Sequence, residues 1–503
     1  MCEEIEAMYN NGTWVLVPKP AGAKVIGSKW VFRIKEGNNR DDPPRFKARF
    51  CAKGFKQREG IDYNEIFAPV VKYKTLRLLL AMTTVNDWHL QQMDVKTVFL
   101  HGNLNETIYM SQPIGFEDNS KPNHVCLLKK SIYGLKQSPR QWNIKFNECM
   151  LSLGFIRSKF DTCLYLKRPK SGMCLYLLLY VDDILMMSNA ESEIEKIKKE
   201  LSMNFDMKDL GNAKKILGIN IIRDKPKKMM FLSQSDYIDK VLKKFNMENY
   251  KSVIIPLGGH LVLSKSDCPE TETDRKRMAL IPYDVAVGSV MYCLLCTRPD
   301  LAYGISVLSR LMSNPGETHW NAMKFLLKYL NSTKNLGLVY AAHGNKNELF
   351  GYVDSDYASN RDNRKSTTGL FFTRFGNCIS WKSQLQSVVA LSSTEVEFIA
   401  ATEAAKEAVW LKGLLSEITL IDYVPLIYSD SQSALHLCRD PVYHERSKHI
   451  DVRLHFIRDM VEKGMIRIEK ILGDINPADF GTKVVPYVKF EFCRKALHVD
   501  KVT

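Results

Sequence analysis

Two adjacent aspartates interrupt the most apolar stretch of the sequence. Asp182 and Asp183 lie inside LLLYVDDILMM, with apolar residues on both sides. Burial of two ionised carboxylates is costly without a compensating cation, so neither an uninterrupted buried strand nor a membrane helix fits this stretch. The pattern predicts a hairpin turn between two apolar strands. At such a turn the carboxylates either lie in water or bind a hard cation such as Mg²⁺, which prefers oxygen ligands.

A third aspartate ends another apolar stretch. Asp94 follows the strand-like HLQQM and precedes VKTVFLHG. An aspartate in this position either caps the N-terminus of a helix or joins Asp182 and Asp183 at one edge of a sheet. In the second case the three carboxylates could hold two metal ions about 3.5–4 Å apart, which is the arrangement for phosphoryl or nucleotidyl transfer.

A second group of acidic residues lies in the C-terminal part of the chain. Each member ends a strand-like run or opens a helical one, and acidic groups at such positions can converge on one metal site. Their ordinary alternative is helix capping and interaction with helix dipoles. The group consists of Asp354, Asp356, Glu395, Glu397, Asp430 and Asp479.

The chain carries a strong positive charge. Its 503 residues include 71 Lys and Arg against 56 Asp and Glu, which gives a net charge of +15. This excess favours a polyanionic partner such as nucleic acid. Lys47, Arg49 and Lys53 would share one face of a strand, where they either contact phosphate or keep a strand edge in solvent. No apolar run reaches the roughly 20 residues of a membrane helix, so no membrane partner is expected.

Short apolar runs and amphipathic stretches indicate two mixed units, of the α/β and α+β multidomain class. Polar segments at 264–277 and 341–348 predict a surface loop and a second break. Helical periodicity predicts helices over 194–205, 317–331, 395–418 and 431–438. Apolar runs predict strands over 29–34, 46–55, 89–95, 174–181, 349–357, 369–375, 378–383 and 425–430.

Longer motifs make nearly the whole chain similar to a known family. These motifs are DVKTVFLHGNL (94–104), IYMSQPIGFE (108–117), SIYGLKQSPRQW (131–142), YVDD (180–183), FDMKDLGNAKKILGINI (205–221), AVGSVMYCLLCTRPDLAY (286–303), RKSTTGLFF (364–372), SWKSQLQSVVALSSTEVEFIAATEAAKEAVWL (380–411) and SKHIDVRLHFIRD (447–459). They resemble the reverse transcriptase of copia-type LTR retrotransposons and the RNase H domain that follows it in the same Pol polyprotein. The gag, protease and integrase parts of that polyprotein are not expected in this chain.

The resemblance implies a right-hand polymerase with fingers, palm and thumb, followed by an RNase H-like mixed-sheet α/β domain. The implied boundaries are 1–225 for the fingers and palm, 226–343 for the thumb and connection, and 344–503 for the RNase H-like domain. Near the fingers, EGNNRDDPPRFKARF (36–50) is irregular where the family usually has a short glycine turn.

The same resemblance assigns roles to the polymerase residues. Asp94, Asp182 and Asp183 match the three catalytic, metal-binding acids of the palm. The other matches concern the nucleotide: the Val95 carbonyl as a further metal ligand, Phe99 as the steric gate against a ribose 2′-OH, Lys47 and Arg49 at the triphosphate, and Gly134 with Lys136 in the nucleotide and template pocket.

In the RNase H part, four acids match the family's metal ligands. They are Asp354, Glu397, Asp430 and Asp479. Glu395 and Asp356 each lie two residues from a matched acid and remain alternatives.

These matches imply an RNA-directed DNA polymerase that also cuts the RNA strand of RNA–DNA hybrids. Each site would use two Mg²⁺ ions, with Mn²⁺ as an alternative. The implied partners are an RNA template, a DNA primer, the RNA–DNA hybrid, dNTPs and other parts of the polyprotein, and the expected location is cytoplasmic. The alternative is a catalytically inactive, transposon-derived protein that only binds nucleic acid.

Overall fold

The computed structural model describes residues 1–35, 44–169, 172–342, 348–439 and 451–501. Three predicted features lie partly outside these described residues. They are the irregular segment at 36–50, the break at 341–348 and the first residues of the motif at 447–459.

The helices alternate with strands along most of the chain. Their bounds are Cys2–Asn10 (α1), Tyr73–Val85 (α2), Ser138–Ser152 (α3), Glu191–Asn204 (α4), Ser235–Lys244 (α5), Glu272–Ala279 (α6), Tyr283–Cys296 (α7), Ala302–Ser309 (α8), Glu317–Ser332 (α9), Ser393–Thr419 (α10), Gln432–Arg439 (α11), Asp451–Glu462 (α12) and Tyr487–Ala496 (α13). Short 3₁₀ helices include Gly54–Lys56, Val98–His101 and Pro477–Gly481.

The strands are short, and most belong to four sheets. Their bounds are Trp14–Pro18 (β1), Val25–Ile26 (β2), Ser28–Lys35 (β3), Arg45–Ala52 (β4), His89–Val95 (β5), Tyr109–Met110 (β6), His124–Leu128 (β7), Ile156–Arg157 (β8), Leu164–Lys167 (β9), Leu175–Tyr180 (β10), Asp183–Ser188 (β11), Met207–Asn212 (β12), Lys215–Ile216 (β13), Ile219–Asp224 (β14), Met229–Ser233 (β15), Gly337–Ala341 (β16), Leu349–Ser355 (β17), Thr367–Arg374 (β18), Asn377–Leu385 (β19), Leu426–Ser429 (β20), Arg467–Lys470 (β21) and Val499–Asp500 (β22).

The chain forms two compact units. The first unit contains Met1–Val71 and His89–Asn212. The second unit contains Lys72–Trp88 and Ala213–Thr503. Helix α2 therefore belongs to the second unit although it lies between two segments of the first. The implied division into fingers and palm, thumb, and nuclease stays a prediction.

The first unit contains two sheets and a two-stranded ribbon. One sheet has the strand order β12-β5-β11-β10-β9-β8, the other β1-β7-β6-β2, and β3 pairs with β4 in the ribbon. Apolar side chains of α3 and α4, such as Phe146 and Ile194, pack with Ile184 of β11 in one core. Phe50 of β4 lies in a second core with Ile5 of α1. These cores fix the frame from which the β10–β11 turn projects.

The second unit contains an antiparallel sheet and a mixed sheet. The antiparallel sheet has the order β13-β14-β15-β16-β22, and the mixed sheet has the order β19-β18-β17-β20-β21. In the mixed sheet β17 pairs antiparallel with β18 and parallel with β20. The long helix α10 buries one apolar side, including Phe398 and Leu411. This arrangement confirms the mixed sheet that the sequence predicts.

Most predicted strands agree closely with the structure, but one predicted strand and one predicted loop differ from it. The strand predicted over 46–55 ends at Ala52, and Gly54–Lys56 forms a 3₁₀ turn. Lys53 therefore does not share the face of β4 that carries Lys47 and Arg49. The surface loop predicted over 264–277 contains most of α6, so that interpretation is wrong for its second half.

No single helix among the described residues combines the length and apolar character that a bilayer crossing requires. The bent pair Glu272–Ala279 and Tyr283–Cys296 satisfies that test only when both helices are taken together.

Candidate active sites

A tight hairpin presents the two adjacent aspartates. Strands β10 and β11 pair antiparallel with Tyr180 opposite Asp183, so Val181 and Asp182 form the turn. Val181 has φ +54°, in the left-handed region that a β-branched residue rarely adopts. The indole Nε1 of Trp142 donates a hydrogen bond of 2.7 Å to the Val181 carbonyl. The turn is thus held in a sparsely populated conformation, as often occurs at functional sites.

Asp94 lies beside this hairpin on the neighbouring strand. It is opposite Asp183 in the β5–β11 register, so it does not cap a helix. The Val95 amide donates to the Asp182 carbonyl at 2.8 Å, and the Gln92 side chain donates to Asp183 Oδ1 at 3.1 Å. All three carboxylates are half-buried. The structure therefore brings these acids to one edge of the sheet, where carboxylate oxygens suit hard cations.

Two side chains of the predicted nucleotide pocket, Phe99 and Arg49, both contact the Tyr133 ring. The Phe99 and Tyr133 rings meet edge to face with centroids 4.9 Å apart. The Arg49 guanidinium carbon lies 4.8 Å from the Tyr133 ring centroid. Burial raises the pKa of the Tyr133 hydroxyl to about 12, and the nearby Asp182 adds to the rise.

The segment after Tyr133 lies against strand β4 of the same unit. Gly134 has φ +91°, and a Cβ there would lie 2.2 Å from the Ala52 carbonyl oxygen. Lys136 Nζ donates to the Tyr63 hydroxyl at 3.0 Å, so its ammonium is held by a tyrosine. Lys47 is half-buried and lies two residues before Arg49, on the same face of β4. The predicted pocket residues thus belong to one neighbourhood built by β4, β5 and this loop.

The second acidic site forms at the mixed sheet of the second unit. Asp354 lies near the end of β17, and Asp430 directly follows the parallel neighbour β20. Asp479 lies in the 3₁₀ turn Pro477–Gly481, which Asn476 anchors by donating to the Val353 carbonyl at 3.0 Å. One carboxylate oxygen from each of the three aspartates lies within 4.8 Å of the others. These three aspartates, all among the described residues, therefore lie close enough together to share a metal ion.

Glu397 faces this cluster from the second turn of α10. Its Oε1 accepts a hydrogen bond of 3.3 Å from the Ser355 amide, whereas its buried Oε2 has no hydrogen-bond partner among the described residues. Burial, with the charges of Asp354 and Asp430, raises the pKa of Glu397 to about 9. Burial likewise raises the pKa of Asp354 to about 6. A buried oxygen without a partner and carboxyls with raised pKa values fit a site that binds a cation.

Lysines provide positive charge at this site, and Lys470 contributes by donating to the Asp430 carbonyl. Lys483 Nζ lies 2.8 Å from Asp479 and 3.5 Å from Asp354. Lys489 Nζ lies 3.0 Å from Asp479 and also donates to the Gly473 and Asp474 carbonyls. The Thr482 hydroxyl donates to Asp354. These donors offset part of the repulsion among the carboxylates.

Comparison with known proteins gives matches along the chain. Residues 11–258 match the family described as Reverse transcriptase (RNA-dependent DNA polymerase). The Retrovirus-related Pol polyprotein from transposon TNT 1-94 of Nicotiana tabacum is 48% identical over 98% of this chain and 37% of that polyprotein. A putative transposon Ty5-1 protein of Saccharomyces cerevisiae is 33% identical over 63% of this chain and 100% of that protein. The chain belongs to the copia-type Pol family.

This copia-type Pol chain spans 37% of the length of the tobacco polyprotein. Among solved structures, the prototype foamy virus protease-reverse transcriptase is 12% identical over 99% of this chain and 76% of that chain, with a TM-score of 0.25. The six-stranded sheet of the first unit carries Asp94 and Asp183, and the mixed sheet of the second unit carries Asp354.

The hydrogen bonds of Asp356 and Glu395 differ from those of Asp354 and Glu397. Asp356 accepts hydrogen bonds from Ser359 and from the Thr367 amide, and both belong to its own loop and strand. Glu395 accepts from the Leu391 amide at 2.7 Å, next to the N-cap of α10. These bonds engage Asp356 and Glu395 in local structure, whereas Asp354 and Glu397 face the cluster.

Several residues that shape the two acidic sites had no individual role assigned from the sequence. Tyr133 and Trp142 lie at the site of the first unit, and Lys483 and Lys489 lie at the site of the second. Lys483 could have been found, because it follows Asp479 by four residues and an acid–base pair at that spacing is a local signal. Contacts such as Trp142 with Val181 join residues far apart in the chain and leave no such signal.

Proposed function

We propose that this copia-type chain is an RNA-directed DNA polymerase and an RNA–DNA hybrid ribonuclease. The observation that carries the proposal is the presence of two acid sets, each at strand ends and each in its own unit. A carboxylate set of this kind suits hard divalent cations. The net charge of +15 supports binding to the phosphate backbone.

In the polymerase site, Asp94, Asp182 and Asp183 would hold two Mg²⁺ ions, with Mn²⁺ as the alternative. Such ions, when bound, lower the pKa of an attacking hydroxyl and neutralise charge on a phosphate. Lys47 and Arg49 would bind the triphosphate of a dNTP, and arginine suits bidentate phosphate contacts. Phe99 would exclude a ribose 2′-OH by its bulk, while the primer end and the RNA template occupy the same neighbourhood.

In the nuclease site, Asp354, Glu397, Asp430 and Asp479 would hold the metal ions. Glu397 is the residue whose protonation state metal binding would change most, because burial and neighbouring acids favour its neutral form. Lys483 and Lys489 would keep Asp479 in place and favour approach of the RNA strand by their charge. Recognition of the hybrid would come from duplex shape and 2′-OH contacts.

Primer extension tests the polymerase proposal. The purified chain is given an RNA template, a DNA primer, dNTPs and Mg²⁺, and Asp183→Asn is compared with Asp118→Asn. Asp118 is an exposed aspartate of the same unit that bonds Ser120 in its own turn. We expect metal-dependent extension that falls at least about a hundredfold in Asp183→Asn alone, because a metal ligand is lost.

Absence of extension and of hybrid cleavage, with binding of the template-primer retained, would support the alternative function. In that case the chain is a catalytically inactive, transposon-derived nucleic-acid-binding protein. The cytoplasmic location and the partner segments of the polyprotein stay predictions.

A further inference from the structure

Tyr133 lies between two side chains to which the polymerase proposal gives different tasks. The Phe99 ring meets the Tyr133 ring edge to face, with ring centroids 4.9 Å apart and an interplanar angle of 69°. The Arg49 guanidinium lies over the Tyr133 ring, 4.8 Å from its centroid. The ring therefore contacts both the side chain expected at the sugar and the side chain expected at the triphosphate.

The backbone around Tyr133 is bonded to the segments that carry both neighbours. The Tyr133 carbonyl accepts a hydrogen bond of 2.8 Å from the Ala52 amide, which belongs to the Arg49 strand. Ser131 Oγ donates to the Phe99 carbonyl at 2.5 Å, and the Ser131 amide donates to Gly102 at 2.8 Å. The loop thus joins β4 to the turn at 98–101, and the Tyr133 ring has little freedom relative to either.

The neutral Tyr133 ring is suited to contact with both the Arg49 guanidinium and the Phe99 ring. Tyrosine is neutral at physiological pH with its ordinary pKa of 10, and burial raises the pKa of the Tyr133 hydroxyl further, to about 12. A neutral ring attracts a guanidinium through its quadrupole, and a ring next to another ring prefers the edge-to-face arrangement. Both contacts are therefore favourable at once.

We propose that Tyr133 is a positioning residue that fixes Phe99 and Arg49 relative to each other. Ribose discrimination and triphosphate binding then depend on one aromatic ring. This inference rests on the proposed polymerase function, in which Phe99 meets the sugar and Arg49 meets the triphosphate of the same dNTP.

Single-nucleotide incorporation kinetics on a template-primer test this role. Tyr133→Leu removes the ring and keeps apolar bulk, whereas Tyr133→Phe keeps the ring. Tyr9→Leu is the matched control, because Tyr9 makes an edge-to-face contact with Trp14 at 5.8 Å in the same unit and is 59% exposed. KM and kcat are measured for a dNTP and for the matching rNTP, and a melting curve is recorded for each variant.

We expect Tyr133→Leu to raise the KM for the dNTP about tenfold with a smaller change in kcat, which is the scale of one aromatic or cation–π contact. Its preference for the dNTP over the rNTP, as a ratio of kcat/KM, should fall by about tenfold as well. Tyr133→Phe loses only the hydrogen bond between its hydroxyl and Arg49, so both quantities should change less than in Tyr133→Leu, and Tyr9→Leu should keep them near wild type.

Two results would overturn the inference. One is a Tyr133→Leu variant with unchanged KM and an unchanged preference ratio. The other is a loss of kcat for both nucleotides at a constant ratio, since that indicates general damage. If the wild-type chain itself incorporates no nucleotide, the polymerase proposal fails, and this outcome is distinct from either result on Tyr133.

Discussion

At the scale of single residues, the acidic site of the second unit contains more carboxylates than lysines in contact with them. Glu397 and Asp354 both have pKa values raised by burial, to about 9 and about 6. Lys483 and Lys489 offset part of this cost through contacts with Asp479. We therefore expect the stability of the second unit to depend on protons and on added metal ions.

The first residue-scale prediction concerns pH. Glu397 in the folded chain keeps its proton up to about pH 9, whereas its ordinary pKa is 4.5. The folded state therefore binds more protons than the unfolded state between these limits, and the free energy of unfolding falls as pH rises through them. In EDTA we expect melting temperatures of the wild type to fall from pH 5 to pH 9.

Glu397→Gln should flatten this dependence, because the amide does not titrate. Mg²⁺ should raise the melting temperature more at pH 8 than at pH 5, since protons compete with the metal for the same oxygens. An equally steep pH dependence in Glu397→Gln would show that another group is responsible.

The second residue-scale prediction concerns Lys483. Its ammonium contacts Asp479 and Asp354, and 47% of its side chain is exposed, so solvent screens these pairs in part. In EDTA we expect Lys483→Met to lower the free energy of unfolding by about 1–2 kcal/mol, because Asp354 loses its lysine partner and Asp479 keeps only Lys489. Urea unfolding followed by circular dichroism measures this loss.

Lys463→Met is the control for the Lys483 variant. Lys463 pairs with Asp459 at 2.8 Å on an exposed helix face, where such pairs contribute about 0.5 kcal/mol or less. Equal losses in the two lysine variants would contradict the assigned role of Lys483.

At the scale of elements, the shape of the predicted nucleotide pocket depends on how closely the loop at 131–137 approaches β4. A Cβ on Gly134 would lie 2.2 Å from the Ala52 carbonyl oxygen, and the residue has φ +91°. Gly115 has a similar φ of +84°, and nothing lies within 4 Å of its Cβ position. The two glycines therefore separate the cost of the steric approach from the cost of the backbone conformation.

We expect Gly134→Ala to lower the free energy of unfolding by at least about 2 kcal/mol more than Gly115→Ala does. It should also weaken dNTP binding, because Tyr133 would shift with the loop. Chemical denaturation of both variants measures the difference, and equal losses would mean that the loop accommodates the added methyl group.

The same elements show what a sequence reveals and what it does not. Strand β5 and the β10–β11 hairpin could be predicted because apolar runs end at charged residues. The strand predicted over 46–55 was too long, since the turn after Ala52 is set by contact with Gly134, which is distant in sequence. Helix α6 does not follow the apolar periodicity from which helices are predicted, because Met278 is its one buried residue, although Thr271 caps the helix in a local pattern.

At the scale of the molecule, the two acid sets belong to different compact units. The acids themselves could be located from the family resemblance, and their grouping at strand ends followed from the strand pattern. The placement of α2 in the second unit could not be predicted from the sequence. Arg77 of α2 donates to the Ile379 carbonyl at 2.7 Å and to the Cys296 carbonyl at 3.2 Å, and such contacts leave no trace in local sequence.

The central claim is that one chain carries two independent metal-dependent sites. Its most direct test measures primer extension and RNA–DNA hybrid cleavage for both Asp183→Asn and Asp430→Asn. We expect Asp183→Asn to lose extension and keep cleavage, and Asp430→Asn to lose cleavage and keep extension, because each substitution removes a carboxylate from only one site. Loss of both activities in either correctly folded variant would contradict the account.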